Sequence, residues 1–294
     1  MKLATFTHDR RTRIGRVVDD TIIDLTRACP EVPTSMEAFL AAGPSALDAV
    51  RQLQATPAST LPLAEVELEA PVQRPRKFLA VGFNFHDHVE EVMQVPAMKN
   101  FKLPPAPVFF NKQVTCINAP YGSIDLPRVS DQLDYEVELA VVIGKRCRHV
   151  PAELAAEVIA GYCVCNDVSV RDWQLASPTT TMGKSFDTHG PLGPWITTAD
   201  EGIAVPSLWM RTWVNGELRQ DGSTRSMIHS IARQIEYLSG AFTLEPGDVI
   251  ATGTPAGVGV LMNPQTFLKE GDRVRVEVEG LGYLEHTVVR ELAA

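Results

Sequence analysis

The segment DYEVELAVVIG, residues 134–144, narrows the folds open to this chain more than any other stretch. Glu136 and Glu138 alternate with Val137 and Leu139. In an extended strand that spacing puts both carboxylates on one face. From Ala140 to Ile143 the strand is apolar on both faces, which predicts cover on both sides. Two neighbouring carboxylates on a covered strand repel each other and resist ionisation. A divalent cation would remove that penalty, and oxygen-only ligands favour Mg²⁺ or Mn²⁺, with Ca²⁺ also open, over zinc. The plainer alternative is a half-exposed strand with a wet outer face, and this segment alone leaves both open.

The surroundings of that strand are rich in others. KFLAVG, PVFFNK, GYCVCNDVSV, LWMRTWVNGEL, GDVIATG, DRVRVEVEG and LEHTVV all read as strands. Helices are few. PAELAAEVIA has Pro151 at its start and Gly161 just beyond its end. TRSMIHSIARQIEYLSGAF sets Ile228, Ile231, Ile235 and Leu238 on one face, with Gly240 as a stop. Strands that do not alternate with helices argue for an α+β, β-rich architecture rather than a doubly wound sheet. Residues 1–70 read as a small α+β unit, with short strands and a helical stretch broken at Gly43-Pro44. A proline-rich connection then leads into a larger unit spanning 71–294.

Bulk properties exclude some partners. The 294 residues are 45% hydrophobic and 21% charged, with a net charge of −9. An acidic chain is a poor fit to nucleic acid, which needs a basic surface. No apolar run is long enough for a membrane helix and the first residues lack a signal-peptide core, so a cytoplasmic location is expected. The five cysteines include no Cys-x-x-Cys, and Cys163 and Cys165 read as strand packing.

The stretch VGFNFHDHVEEV, residues 81–92, crowds His86, Asp87, His88, Glu90 and Glu91 together. If residues 85–93 are helical, His88 and Glu91 are neighbours at i, i+3, while His86 and His88 diverge. That favours an acid–base pair over a two-histidine metal site. Asn84 reads as the N-cap, with Asp87 completing a capping box. Asp167, at the end of an apolar strand, is a third oxygen ligand or a turn residue. The proline-rich segment 92–107 reads equally as a lid or as a plain surface loop; as a lid, it would offer Met93, Met98, Phe101 and Leu103 as apolar surface.

Taken in order, VGFNFHDHVEE, DYEVELAVVIG, NDVSVRDWQ, GKSFDTHGPLGP and PGDVIATGTPAGVG closely resemble the fumarylacetoacetate hydrolase family from about residue 71 to the end. The resemblance implies a mixed β-roll catalytic domain behind a small N-terminal domain, a divalent metal and a homodimer. It implies that Glu136, Glu138 and Asp167 hold the metal and that His88 and Glu91 are the catalytic pair. It places Lys184 in the active site and Gln174, Gly253 and Thr254 on the substrate, with Arg171 beside them. One departure is Phe85, where the family commonly has a tyrosine.

The expected activity is metal-dependent hydrolysis of a carbon–carbon bond in a 2,4-dioxo acid of the acylpyruvate type. His88, oriented by Glu91, would activate water, and the metal would stabilise the departing enolate. Lys184 and Gln174 would stabilise negative oxygen, and Gly253 and Thr254 would hold the carboxylate. The alternatives are decarboxylation of an oxaloacetate-type acid, or isomerisation or dehydration of a related 2-oxo acid. A non-catalytic module that merely holds an oxo acid is disfavoured by the His88–Glu91 pair beside a full ligand set.

Overall fold

The computed structural model describes residues 1–292. Strand Val137–Ile143 lies inside a 12-stranded mixed sheet and is buried along its whole length. It pairs antiparallel with Ile159–Asn166 on one side and with Val249–Ala251 on the other. Val249–Ala251 in turn pairs in parallel with Phe78–Gly82, which pairs antiparallel with the edge strand Val108–Lys112. A separate five-stranded sheet includes Trp209–Val214, Arg273–Val278 and Gly282–Arg290.

The two faces of Val137–Ile143 meet different partners, as its unbroken apolar run predicts. Val137 and Leu139 pack against Met210, Val274, Val276 and Leu284 of the five-stranded sheet. Val141 and Ile143 meet Ile235 and Leu238 of the helix Ile231–Ala241. Ala140 and Val142 turn the other way, into a cluster with Cys163, Cys165 and Phe39. Burying apolar side chains on this scale is the main force holding the layers together. The β-rich mixed architecture agrees with the strand reading, and the sheets do not close.

The N-terminal strands Lys2–His8, Arg11–Val18 and Thr21–Asp24 form as expected. Lys2–His8 also pairs with Gly190–Thr198, so the large sheet runs across residue 70. The helical stretch breaks at Gly43, whose φ of +79° suits glycine, and restarts at Pro44.

Three local readings are corrected. PAELAAEVIA is not an α-helix: Ala152–Val158 is a 3₁₀ segment and Ile159 already opens a strand. The carbonyl of Val158 accepts from Gly144 N–H at 2.7 Å, so sheet pairing overrides helical propensity there. Ile228 lies ahead of the helix Ile231–Ala241, which Ser230 caps, and Gly240 lies within that helix rather than ending it. LWMRTWVNGEL is two strands, because Asn215 (φ 52°) and Gly216 (φ 82°) form a hairpin turn.

Candidate active site

Register builds the site. Val137 faces Asn166 across the ladder, and Asp167 N–H donates to the Glu136 carbonyl at 2.9 Å. Asp167 therefore leaves its strand beside the two glutamates. Ligand oxygens of Glu136, Glu138 and Asp167 lie within 4.8 Å of one another, and all three residues are buried. The wet-face alternative for this strand is thereby excluded.

Each carboxylate has a different environment. Lys184 Nζ donates to Glu136 Oε2 at 2.7 Å and to Asp167 Oδ2 at 2.8 Å. Arg171 bridges Glu136 Oε1 at 2.7 Å, Asp134 Oδ2 at 2.8 Å and Gln174 Oε1 at 2.9 Å. Burial would raise the Glu136 carboxyl, but Lys184 and Arg171 outweigh it and hold it at about 2. Burial also opposes the charge on Arg171, yet Asp134 and Glu136 strengthen it. Glu138 is different. Burial, then the charges of Asp167 and Glu136, push it well above the usual carboxylate range. Its Oε2 accepts one backbone hydrogen bond, from Gly253 N–H at 2.8 Å. Among the described residues no cationic side chain forms an ion pair with it.

This donor set fits a hard divalent cation: three buried carboxylates, all oxygen, one of them without a positive partner. Glu136, Glu138 and Asp167 would hold it.

Two buried residues that sequence reasoning missed hold the cluster residues in place. Lys112, at the end of the edge strand, donates to Asp167 Oδ1 at 2.6 Å and to the Lys184 carbonyl. Burial works against its charge, but Asp167 more than compensates and raises it. Asp134 takes Arg171 on one oxygen and also accepts from Gly259 N–H at 2.9 Å. Asp134 had a readable signal, since it extends the Glu136, Glu138 alternation by one step. Lys112 had none, because its partners lie far away in sequence.

The helix His86–Gln94 brings the second group in. His88 Nδ1 lies 3.3 Å from Glu91 Oε2, and Glu91 Oε1 accepts from Gly257 N–H at 3.0 Å. His86 and Glu90 face solvent. The capping-box reading is corrected: Phe85 is the N-cap, without a side-chain cap, and Asn84 is buried. Asn84 Nδ2 donates to Thr252 O at 2.8 Å, and its Oδ1 accepts from His229 N–H at 2.8 Å. Asn84 thus ties the helix entrance to two other segments.

A cavity of about 510 Å³ joins these groups. His88, Glu136, Glu138, Asp167, Arg171, Gln174, Lys184 and Thr254 all line it. Glu91 stands behind His88. Gly253 does not line the cavity; its N–H is engaged with Glu138 rather than open to a ligand. Thr254 Oγ1 accepts from Gln220 Nε2 at 2.8 Å. Met93, Met98, Phe101 and Leu103 do not line the cavity either. Phe101 touches it only through Phe83, with ring centroids 4.8 Å apart. The apolar wall comes instead from Val108, Phe109 and Phe110.

Comparison with known proteins identifies the family. The C-terminal domain profile of fumarylacetoacetate (FAA) hydrolase matches residues 77–289. Oxaloacetate tautomerase FAHD2B, mitochondrial, of Bos taurus is 43% identical over 270 residues, covering 91% of this chain and 84% of that protein. The fumarylacetoacetate hydrolase of psychrophilic Exiguobacterium antarcticum superposes with a TM-score of 0.84 at 36% identity, covering 99% of this chain and 100% of that one. Maleylpyruvate hydrolase from Sphingobium sp. SYK-6, in complex with manganese (II) ion and pyruvate, superposes with a TM-score of 0.79 at 32% identity, covering 99% and 100%. The profile begins at the edge of the strand that leads into His88 and ends in the last strand, so it encloses every residue of the carboxylate cluster and its histidine. The chain belongs to the fumarylacetoacetate hydrolase family.

Proposed function

We propose that this chain interconverts the enol and keto forms of a 2-oxo acid, moving a proton at the carbon next to the oxo group. One observation carries the reading: His88, backed by Glu91, lines the same cavity as the buried carboxylate cluster. A divalent cation on Glu136, Glu138 and Asp167 would act as a Lewis acid on the 2-oxo oxygen and acidify that carbon. Glu91 accepts the Nδ1 proton of His88 and fixes the tautomer in which Nε2 carries the lone pair. In enolisation Nε2 takes the proton from carbon and passes it to the 2-oxo oxygen, and in ketonisation the proton travels from that oxygen back to carbon, a general-base contribution of typically about 10²–10⁴-fold. Lys184 and Gln174 line the same cavity and would stabilise the negative oxygen that develops. Several relatives named oxaloacetate tautomerase, at 40–43% identity over 91% of this chain, support this choice.

Carbon–carbon hydrolysis of a 2,4-dioxo acid is the second reading. It is favoured by the same histidine, which could take its proton from water instead, and by the likeness to maleylpyruvate hydrolase. The test is to follow decay of the enol absorbance of oxaloacetate with Mg²⁺ or Mn²⁺ present, beside pyruvate release from an acylpyruvate. Metal-dependent ketonisation that is lost in Glu138→Gln supports the first reading. Pyruvate release without ketonisation moves the assignment to the second, and neither activity sinks both. The expected setting is a homodimer in the cytoplasm, to be tested by light scattering and cell fractionation.

A further inference from the structure

The cavity has more room and fewer free cations than a small dicarboxylate needs. Its volume of about 510 Å³ falls in the range that encloses drug-sized ligands, well beyond what a four-carbon acid fills. Every basic group on its lining is already paired with a carboxylate. Arg171 is engaged with Asp134 and Glu136, and Lys184 with Glu136 and Asp167. His88, the remaining basic group on the lining, is held by Glu91. Phe110 lies under the Lys184 ammonium, 5.4 Å from ring centroid to Nζ, whereas Phe83, Val108 and Leu175 form an apolar wall with no cation contact among the described residues. A second carboxylate pressed against that wall would lose water and gain no counter-charge.

Two details make this wall a feature of the site rather than incidental packing. Phe83 holds a φ of +56°, a left-handed backbone that is uncommon for a residue with a bulky side chain. Such conformations persist where the surroundings hold them, and they cluster at ligand sites. Its ring packs on Phe101, which braces the wall from behind. Leu175 is 77% exposed and Val108 38% exposed, so the apolar surface continues out to the mouth. A ligand reaching out from the floor would cover both.

We infer that this chain prefers 2-oxo acids whose far end is an uncharged aryl or branched alkyl group over those that end in a second carboxylate. The inference rests on the enol–keto reading and names its substrate class. The head of the molecule sits on the carboxylate floor, and its tail lies along Phe83, Val108 and Leu175.

The experiment compares phenylpyruvate with oxaloacetate in the enol–keto assay with Mn²⁺. The aryl acid should have the higher kcat/KM by about tenfold or more, the scale on which apolar pockets discriminate. Leu175→Arg puts a cation at an exposed position of the mouth and should shrink or reverse that ratio. Phe83→Asn keeps a residue that tolerates the left-handed backbone but removes the ring. It should lower the ratio mainly through a higher KM for the aryl acid. If Phe83→Asn does not fold, the exposed Leu175→Arg still decides. A wild-type preference for oxaloacetate, or a ratio that Leu175→Arg leaves unchanged, overturns the inference while the enol–keto reading stands. If neither acid is interconverted, the reading fails and takes the inference with it.

Discussion

Glu138 has the weakest internal support of the three clustered carboxylates. Lys184 serves both Glu136 and Asp167, whereas Glu138 has one backbone N–H. Its negative form therefore depends most on a bound cation. Glu138→Gln should weaken Mg²⁺ or Mn²⁺ binding, read by titration calorimetry, by more than the roughly 10–100-fold that loss of an outer-shell partner costs. Near-normal affinity in that variant would remove Glu138 from the ligand set. His88→Ala makes a separate prediction. Enol–keto interconversion and acylpyruvate hydrolysis should each fall about 10²–10⁴-fold. Any oxaloacetate decarboxylation should largely survive, because loss of carbon dioxide needs no base at His88. At this scale the sequence was legible where chemistry repeats locally. Glu136 and Glu138 announce themselves by period two, and His88 and Glu91 by helical spacing. Lys112 was not legible, because a single lysine ending an apolar strand looks like any surface lysine until the fold buries it on Asp167.

Elements were legible where pattern and tertiary context agree. Val137–Ile143 formed as read because its apolar run demanded two covered faces. Ala152–Val158 departed from its helical composition because the adjoining strand captured Val158 and Ile159 in the sheet. Asn84 shows the same competition at a helix entrance. Its composition suited a cap, but three backbone partners on other segments claimed its amide: Thr252 O, His229 O and His229 N. Long-range hydrogen bonds of this kind leave no trace in local spacing. Asn84→Ala should leave those buried groups unpaired and destabilise the protein by about 1–3 kcal/mol in urea titration. Because Asn84 anchors the start of the His88 helix, kcat should also fall. A loss of stability under about half a kcal/mol would mean that water replaces the amide, contrary to its burial.

Across the whole molecule, two neutral histidines clamp strand Ile124–Leu126 and the turn just before it. His286, on strand Gly282–Arg290, donates Nδ1–H to Gly122 O at 2.8 Å, and His189 donates Nε2–H to Asp125 O at 2.8 Å. The other ring nitrogen of each is buried without a partner. Protonation would add an unsatisfied N–H and a charge in each place. Burial accordingly lowers His286 from 6.5 to about 4 and His189 to about 3. The unfolded chain binds these protons at the ordinary value, so between about 6.5 and 4 it holds more protons than the folded one. The histidine contribution to folding stability is therefore fully present above about pH 6.5 and is lost as the pH drops toward 4, by up to about 1.4 kcal/mol per pH unit for each histidine. Urea midpoints measured at pH 7 and pH 5 should show this loss. In His286→Gln the amide can still donate to Gly122 O but cannot take up the proton, so the slope should fall by about half. A slope equal to the wild type would mean that other groups, rather than this clamp, set the acid limit of the fold.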